Sequence, residues 1–302
     1  MLPHLSPTLT GALYALAAAL AFALWNIYLQ RGLAHGGGPR LALLTVALSE
    51  VACFVPLSLW LAGHGHLPPL DGRGLLWFVV AGVLTSVIGT YLATQATRRI
   101  GAVQTTALRL LDPFFALLIA AAFLGERLGA RALGGMALLV LALLLLQQRA
   151  VAAPSARRQH AGGLLYAVLA SFAFTLGSVA RKAGLLLVPA ALVAGAIEGL
   201  AGVLVVGLVL GLQGDGRALA ALRSAASRDL WWSGLAAAAG TLCLNLALQR
   251  LAVPLAVALR NTSPWFALVL IPPLLGRRQR AGRWIWVSTG LLTAGMLLIV
   301  LR

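Results

Sequence analysis

Acidic side chains are scarce in this sequence. Seven Asp and Glu stand against 23 Lys and Arg in 302 residues, and charged residues make up only 10% of the chain. A soluble domain carries roughly 25% charged and about 45–50% apolar residues. Here 61% of residues are hydrophobic and the mean hydropathy is +0.94, which excludes a water-soluble core. There are two cysteines, Cys53 and Cys243, too few and too far apart for a metal-ligand cluster, so they read as small core residues. The five histidines, His4, His35, His64, His66 and His160, all fall in termini or loops, and no pair has metal-ligand spacing. No nucleophile elbow and no phosphate-binding glycine loop occurs, so neither an enzyme nor a cofactor is indicated. Lysine occurs once, at Lys182, and the remaining bases are arginine.

Long hydrophobic runs are what the chain has in abundance. Apolar stretches of about the length needed to cross a ~30 Å hydrocarbon layer recur near 10–30, 41–62, 75–96, 102–124, 131–148, 163–182, 188–212, 230–249, 253–275 and 284–301. Ten transmembrane helices with short connections leave no room for a soluble domain. Met1 to Leu9 lacks the basic segment of a cleaved signal, so the first span is expected to stay in the membrane. Basic residues are about twice as frequent in the loops after odd-numbered spans as in the other loops and the termini combined, with residues at span ends counted in the adjoining loop. Cytoplasmic loops are enriched in Lys and Arg, which predicts both termini on the outer face. The same distribution makes the excess positive charge a topology signal, and no nucleic-acid partner is expected.

The sequence repeats itself. Ala107-Leu108-Arg109, Pro113-Phe114-Phe115-Ala116-Leu117 and Gly125-Glu126-Arg127 are echoed by Ala258-Leu259-Arg260, Pro264-Trp265-Phe266-Ala267-Leu268 and Gly276-Arg277-Arg278, always 151 residues later. Gly89-Thr90 recurs as Gly240-Thr241, and Tyr14 and Ala21-Phe22 recur as Tyr166 and Ala173-Phe174. A fixed spacing of this kind marks duplicated units, here 1–152 and 153–302. Five crossings per unit put the second unit's start on the opposite face. The expected architecture is therefore all-α and integral to the membrane: ten transmembrane helices as two inverted five-helix repeats around a central cavity, the arrangement by which many carriers alternate access.

Ten spans in two sets of five, each with a proline-containing fourth helix followed by a Gly-Glu-Arg-like turn, resemble the EamA-type drug/metabolite transporter superfamily. Within it, the likeness is to bacterial inner-membrane amino-acid exporters, including the aromatic amino-acid branch. The resemblance implies a secondary transporter of the bacterial inner membrane, with a small-molecule substrate, the lipid bilayer around it, and a monomeric or weakly dimeric state. Two departures stand out. Glu126 becomes Arg277 in the second turn. The first span offers Trp25 and Asn26 and no carboxylate, whereas the small four-span multidrug members of the superfamily carry an acid there.

Ionisable groups at bilayer depth are costly, about 2.5–3.5 kcal/mol on insertion scales, and they normally face a cavity or a partner. Glu50, Arg109, Asp112, Glu198 and Arg260 are such groups. Arg109 and Asp112, three apart, can pair on one helix; Arg260 has Ser263 in the matching place and needs Glu50, Glu198 or a substrate anion. Three acids against two bases leave one carboxylate over, with Glu50 and Glu198 as candidates for coupling or for structural pairing. Polar residues at helical spacing mark a face in span 3 (Ser86, Thr90, Thr94) and in span 8 (Thr241, Asn245, Gln249), joined by Thr175 and Ser178 in span 6 and by Asn261 in span 9. Pro113 and Pro264 each free a carbonyl one turn earlier, at residues 109 and 260, and are candidate hinges. The expected substrate site takes in Trp25, Asn26, Tyr91, Thr94, Arg109, Asp112, Ser178, Asn245, Arg260 and Trp265. The two arginines would meet a carboxylate, Asp112 an ammonium, and Trp25, Tyr91 and Trp265 an apolar side chain. A sugar-phosphate or nucleotide-sugar carrier is the nearest alternative reading, and a channel or a membrane enzyme acting on lipid-linked substrates is a more distant one.

Overall fold

Once a chain is in lipid, every backbone N–H and C=O must find an internal partner, and a helix supplies all of them within one segment. The computed structural model describes residues 6–126, 129–147, 157–212, 225–263 and isolated positions beyond, and the described residues are helical with no strand. In chain order the elements are α1 (Pro7–Ala34), α2 (Pro39–Gly63), α3 (Gly72–Gly82), a π-helix (Val83–Gly89), α4 (Thr90–Leu108), a 3-10 turn (Arg109–Leu111), α5 (Asp112–Leu124), α6 (Ala130–Gln147), α7 (Arg157–Leu187), α8 (Ala191–Leu212), α9 (Ala225–Leu248) and α10 (Val253–Arg260). Six helices among the described residues are long and apolar enough to cross a membrane, and Asp112–Leu124 and Ala130–Ala142 are shorter apolar helices.

Local chemistry sets the helix ends. Ser6 caps α1, its hydroxyl accepting from Leu9 N at 3.2 Å, and Asp71 does the same for α3 through Arg73 N at 3.0 Å. Gly125 ends α5 at φ 64°, a left-handed conformation that glycine adopts without steric cost.

One expectation is overturned here. The break predicted between the third and fourth spans, around 97–101, is absent, and α4 runs through to Leu108. No proline interrupts this stretch, Arg98 and Arg99 are good helix formers, and a single Gly101 costs only about 1 kcal/mol against alanine. The run next changes in type, to a 3-10 turn over Arg109–Leu111 just before Pro113. Most of the predicted tenth span, and the ninth beyond residue 270, lie outside the described residues, as does the hinge expected at Pro264.

Small residues let the helices approach closely. α1 packs along α9, α7 along α3 and α4, and α2 against α8, while α5 meets α10. At Gly82 a Cβ would lie 2.6 Å from the Glu198 carbonyl oxygen, so α3 and α8 touch backbone to backbone. The result is a core rich in alanine with buried polar residues at its centre.

Candidate functional site

Where α1, α2, the π-helix, α7 and α9 converge, their inward side chains line a cavity of about 40 Å³. Phe22, Trp25, Glu50, Arg109, Arg181 and Arg260 contribute to its wall. The volume admits a few waters at most and falls well short of the roughly 300–1,000 Å³ typical of ligand pockets.

Three charge clusters surround it. Asp112, fully buried, accepts from Arg260 at 2.6 Å, from Arg109 at 3.4 Å and from the hydroxyl of Ser171. Arg260 needed an acceptor, and it finds Asp112, the acid that spacing had assigned to Arg109 alone; neither Glu50 nor Glu198 serves it. Glu198 instead holds Arg181, through Nε at 2.7 Å and a second contact from the terminal guanidinium nitrogen. Arg181 is 3% exposed and was missed by sequence reasoning, which counted it with the loop after the sixth span. Helix α7 continues to Leu187, so Arg181 lies a turn and a half inside it. A helical register carried past residue 182 is the signal that would have found it.

The arithmetic of three acids and two bases thus becomes three and three, yet one carboxylate still has no cation. Glu50, 2% exposed, accepts from Ser86 Oγ at 2.9 Å and Thr241 Oγ1 at 3.2 Å, one hydroxyl from each half of the chain, and no salt bridge reaches it among the described residues. Ser86 sits within the π-helix, a geometry frequent at functional sites. On the same cavity wall as Glu50, Trp25 is 4% exposed and its indole N–H has no acceptor among the described residues. Phe22 and Phe174 meet Trp25 edge-on, at ring centroid distances of 6.2 and 6.5 Å.

The cavity is lined by matching contacts from the two halves. Arg109 lies 4.5 Å over the ring of Phe174 and Arg260 lies 5.8 Å over that of Phe22. A Cβ at Gly89 would stand 2.9 Å from the Phe174 ring, and one at Gly240 would stand 2.9 Å from that of Phe22. These are the repeat partners of one another, each touching the other half. The carbonyl of Arg109, which Pro113 cannot bond, accepts from the Asp112 N–H of the 3-10 turn and also from Asn261 Nδ2 at 2.6 Å, which again joins one half to the other.

The remaining sequence-predicted residues are less uniform in place. Asn26 donates to Phe22 O at 2.9 Å, Thr94 to Thr90 O at 2.7 Å and Ser178 to Phe174 O at 2.9 Å, each bonding its own helix. Asn245 donates to Ala191 O at 3.1 Å, and its Oδ1 is buried without a donor. Tyr91 points outward, 41% exposed, and Trp265 packs on the apolar core and edge-on to Phe266. Neither ring lines the central cavity. Away from the cavity, Lys182 donates to Leu248 O at 2.5 Å and Leu251 O at 3.1 Å, and Glu126 accepts from Val253 N at 2.8 Å. These two charges brace the turn between α9 and α10. At the other end, Asp229 pairs with His35 at 2.9 Å and Arg31 at 3.4 Å. No group of three His, Cys, Asp or Glu among the described residues could hold a metal ion.

Comparison with known proteins agrees with the first half of this picture. Residues 9–147 match the EamA-like transporter family, which supports the EamA superfamily. An uncharacterized protein of Pseudomonas aeruginosa is 36% identical over 148 residues, covering 46% of this chain and 49% of that protein, so the match spans about half of each. A protein of known crystal structure shares the fold, with a TM-score of 0.71 over 96% of this chain and 98% of its own at 16% identity. With six apolar helices, these findings support a multi-pass membrane protein.

Proposed function

We propose that the chain is a secondary carrier of the bacterial inner membrane that exports small amphipathic metabolites by alternating access. In this reading the units 1–152 and 153–302 are inverted repeats, with both termini on the periplasmic face. The exchanged contacts of Arg109, Phe174 and Gly89 with Arg260, Phe22 and Gly240 support that symmetry. In this reading the central cavity, about 40 Å³ here, widens to take substrate when one face parts.

The observation that carries the proposal is the composition of the cavity wall. Three guanidinium groups, one carboxylate without a cation and one indole N–H without an acceptor meet in a single small space between the halves. Such a wall suits a zwitterion. Its carboxylate would face Arg181, Arg109 and the Trp25 N–H, its ammonium would face Glu50, and an aromatic or bulky apolar side chain would lie on Trp25, Phe22 and Phe174. Asp112, the sequence-based choice for the ammonium, is already occupied by two arginines and a serine. Between substrates Glu50 would carry a proton, which ties transport to pH.

Sugar-phosphate carriage is the second reading, favoured by the three arginines on one cavity. Against it, Asp112 and Glu198 already offset two of those charges. Uptake and counterflow in proteoliposomes test both. Labelled threonine, methionine or phenylalanine is expected to exchange with saturation, and failure of all three while phosphorylated sugars exchange would replace the first reading with the second. Non-saturating flux would indicate a channel, and chemical conversion of the solute an enzyme.

A further inference from the structure

Of the polar face that runs along α9, the central cavity uses only the first member, Thr241, which donates to Glu50 Oε1 at 3.2 Å. One turn on is Asn245, fully buried, whose Nδ2 donates to Ala191 O at 3.1 Å and whose Oδ1 has no donor among the described residues. One turn further is Gln249. Its backbone N–H still bonds Asn245 O at 3.1 Å, so it keeps the helical register just past the end of α9. Gln249 lines a second cleft, of about 330 Å³, between the end of α7 and the turn that follows α9. The two cavities lie along one seam. Arg181 and Leu244 line the central one, and Lys182 and Leu248, one residue and one turn beyond, line the outer one. Asn245 sits between them, held against the first residue of α8, two residues from the Pro189 of the outer cleft.

We infer that Thr241, Asn245 and Gln249 hold a file of water through which Glu50 exchanges its proton with the face where α9 ends. The inference rests on the reading in which Glu50 carries a proton between substrates. A buried amide oxygen left without a donor is costly, and water is the donor small enough to reach it. Side chains one turn apart on a helix have Cβ atoms about 5–6 Å apart, the span of two hydrogen bonds of ~2.8 Å, so one water fits each gap. At the inner end, Thr241 Oγ1 takes a proton from the adjoining water and passes its own hydroxyl hydrogen to Glu50 Oε1. A hydronium becomes water, the hydroxyl is restored and the carboxylate becomes neutral. The amides transfer nothing; Asn245 and Gln249 are positioning residues that keep the waters in line.

The surrounding charges suit a proton better than a metal cation. Glu50 shares its surroundings with Arg181 of α7 and Glu198 of α8, with Arg109 and Arg260 on the same cavity wall and Cys53 on the next turn of α2. At the outer cleft stand Lys182, bonded to Leu248 O and Leu251 O with Glu126 as the nearby acid, and Arg250, 5.2 Å over the Tyr14 ring. Fixed positive charge at the mouth repels an ion that must travel bodily, whereas a proton passes from one hydrogen bond to the next. A Cβ at Gly11 of α1 would lie 2.7 Å from Leu251, so the mouth opens on the face where α1 begins, the periplasmic one in the proposed orientation.

The test follows Glu50 itself. In oriented, lipid-reconstituted protein, the carboxylic C=O stretch that the wild type shows and Glu50→Gln loses reports the neutral acid, read by time-resolved infrared spectroscopy after a pH jump on one side. Protonation is expected to be prompt from the side where α9 ends and limited by conformational change from the other. Asn245→Leu should slow the prompt phase roughly tenfold, about 1.4 kcal/mol in barrier, and leave the midpoint of the equilibrium titration unmoved. Asn245→Ser, which keeps an oxygen and leaves room for a water, should restore most of the rate. Gln249→Leu, at the partly exposed end of the file, should slow the same phase. Absence of any band assignable to Glu50 would overturn the coupling reading and this inference with it. A Glu50 band that titrates but rises as fast in Asn245→Leu and Gln249→Leu as in the wild type, or equally fast from both faces, would overturn the route alone.

Discussion

Asp112 is the single acceptor on which both repeat-related arginines converge, and its replacement by asparagine is the sharpest test of the site's electrostatics. The substitution keeps the shape and one acceptor oxygen but removes the one negative charge that, among the described residues, pairs with Arg260 at 2.6 Å and Arg109 at 3.4 Å. Arg260 is 4% exposed, so it cannot turn to water for compensation. Breaking a buried ion pair by removing one partner costs about 3–5 kcal/mol, most of it the cost of the charge left behind. At roughly 2–4 °C per kcal/mol for a chain of this order of size, Asp112→Asn should lower Tm by roughly 6–20 °C in a thermal unfolding scan of the detergent-solubilised protein. Adding Arg260→Gln in the same molecule should recover a large part of the loss, because the orphaned cation is then gone. A shift below about 2 °C for Asp112→Asn, or a double variant that loses the sum of the single losses, would show that the cluster is hydrated and that the reasoning from burial fails.

Glu50→Gln makes the opposite prediction. With two hydroxyl donors and no cation to strand, it should change stability by within about 1 kcal/mol while altering the pH dependence of exchange, and an unchanged pH profile would remove Glu50 from coupling. Glu198→Gln, which strands Arg181, should instead cost about 3–5 kcal/mol in the same unfolding assay. Gly82→Ala would drive a methyl to 2.6 Å from the Glu198 carbonyl oxygen, and separation of α3 from α8 should cost about 1–3 kcal/mol, read as a lowered Tm. Glu126 lies outside the spans, and burial holds its carboxyl above the ordinary 4.5, against the pull of the Val253 N–H and Lys182. The stability this group contributes is therefore complete below that ordinary value and is lost as pH rises through the raised one. Glu126→Gln should flatten the corresponding slope of Tm against pH.

Much of the architecture was legible in the residues. Hydrophobic length alone requires helices, since no other open segment satisfies its backbone in lipid. The repeat picked out Arg109 with Arg260 at a spacing of 151 and Phe22 with Phe174 at 152 before any contact was known. The proline at 113 announced a carbonyl at 109 without its usual partner, and in the structure that carbonyl accepts from the Asp112 N–H one residue earlier and from Asn261. Less legible was the helical run through residues 97–101, where two arginines and a glycine read as a loop although their helix propensities permit continuation.

What the sequence determined by itself, then, is that Glu50, Arg109, Asp112, Glu198 and Arg260 fall within apolar stretches and that parts of the chain are echoed later in it, because cost of burial and periodicity are properties of a segment. Which charge meets which was decided only by the tertiary structure. Asp112 could pair locally with Arg109, yet it also holds Arg260 from 148 residues away; Arg181 looks like a loop residue until α7 is seen to continue past it; Glu50 is left with hydroxyls alone. Pairing is a matter of distances across helix interfaces, and those depend on how closely glycine and alanine let backbones approach, a quantity no single segment contains.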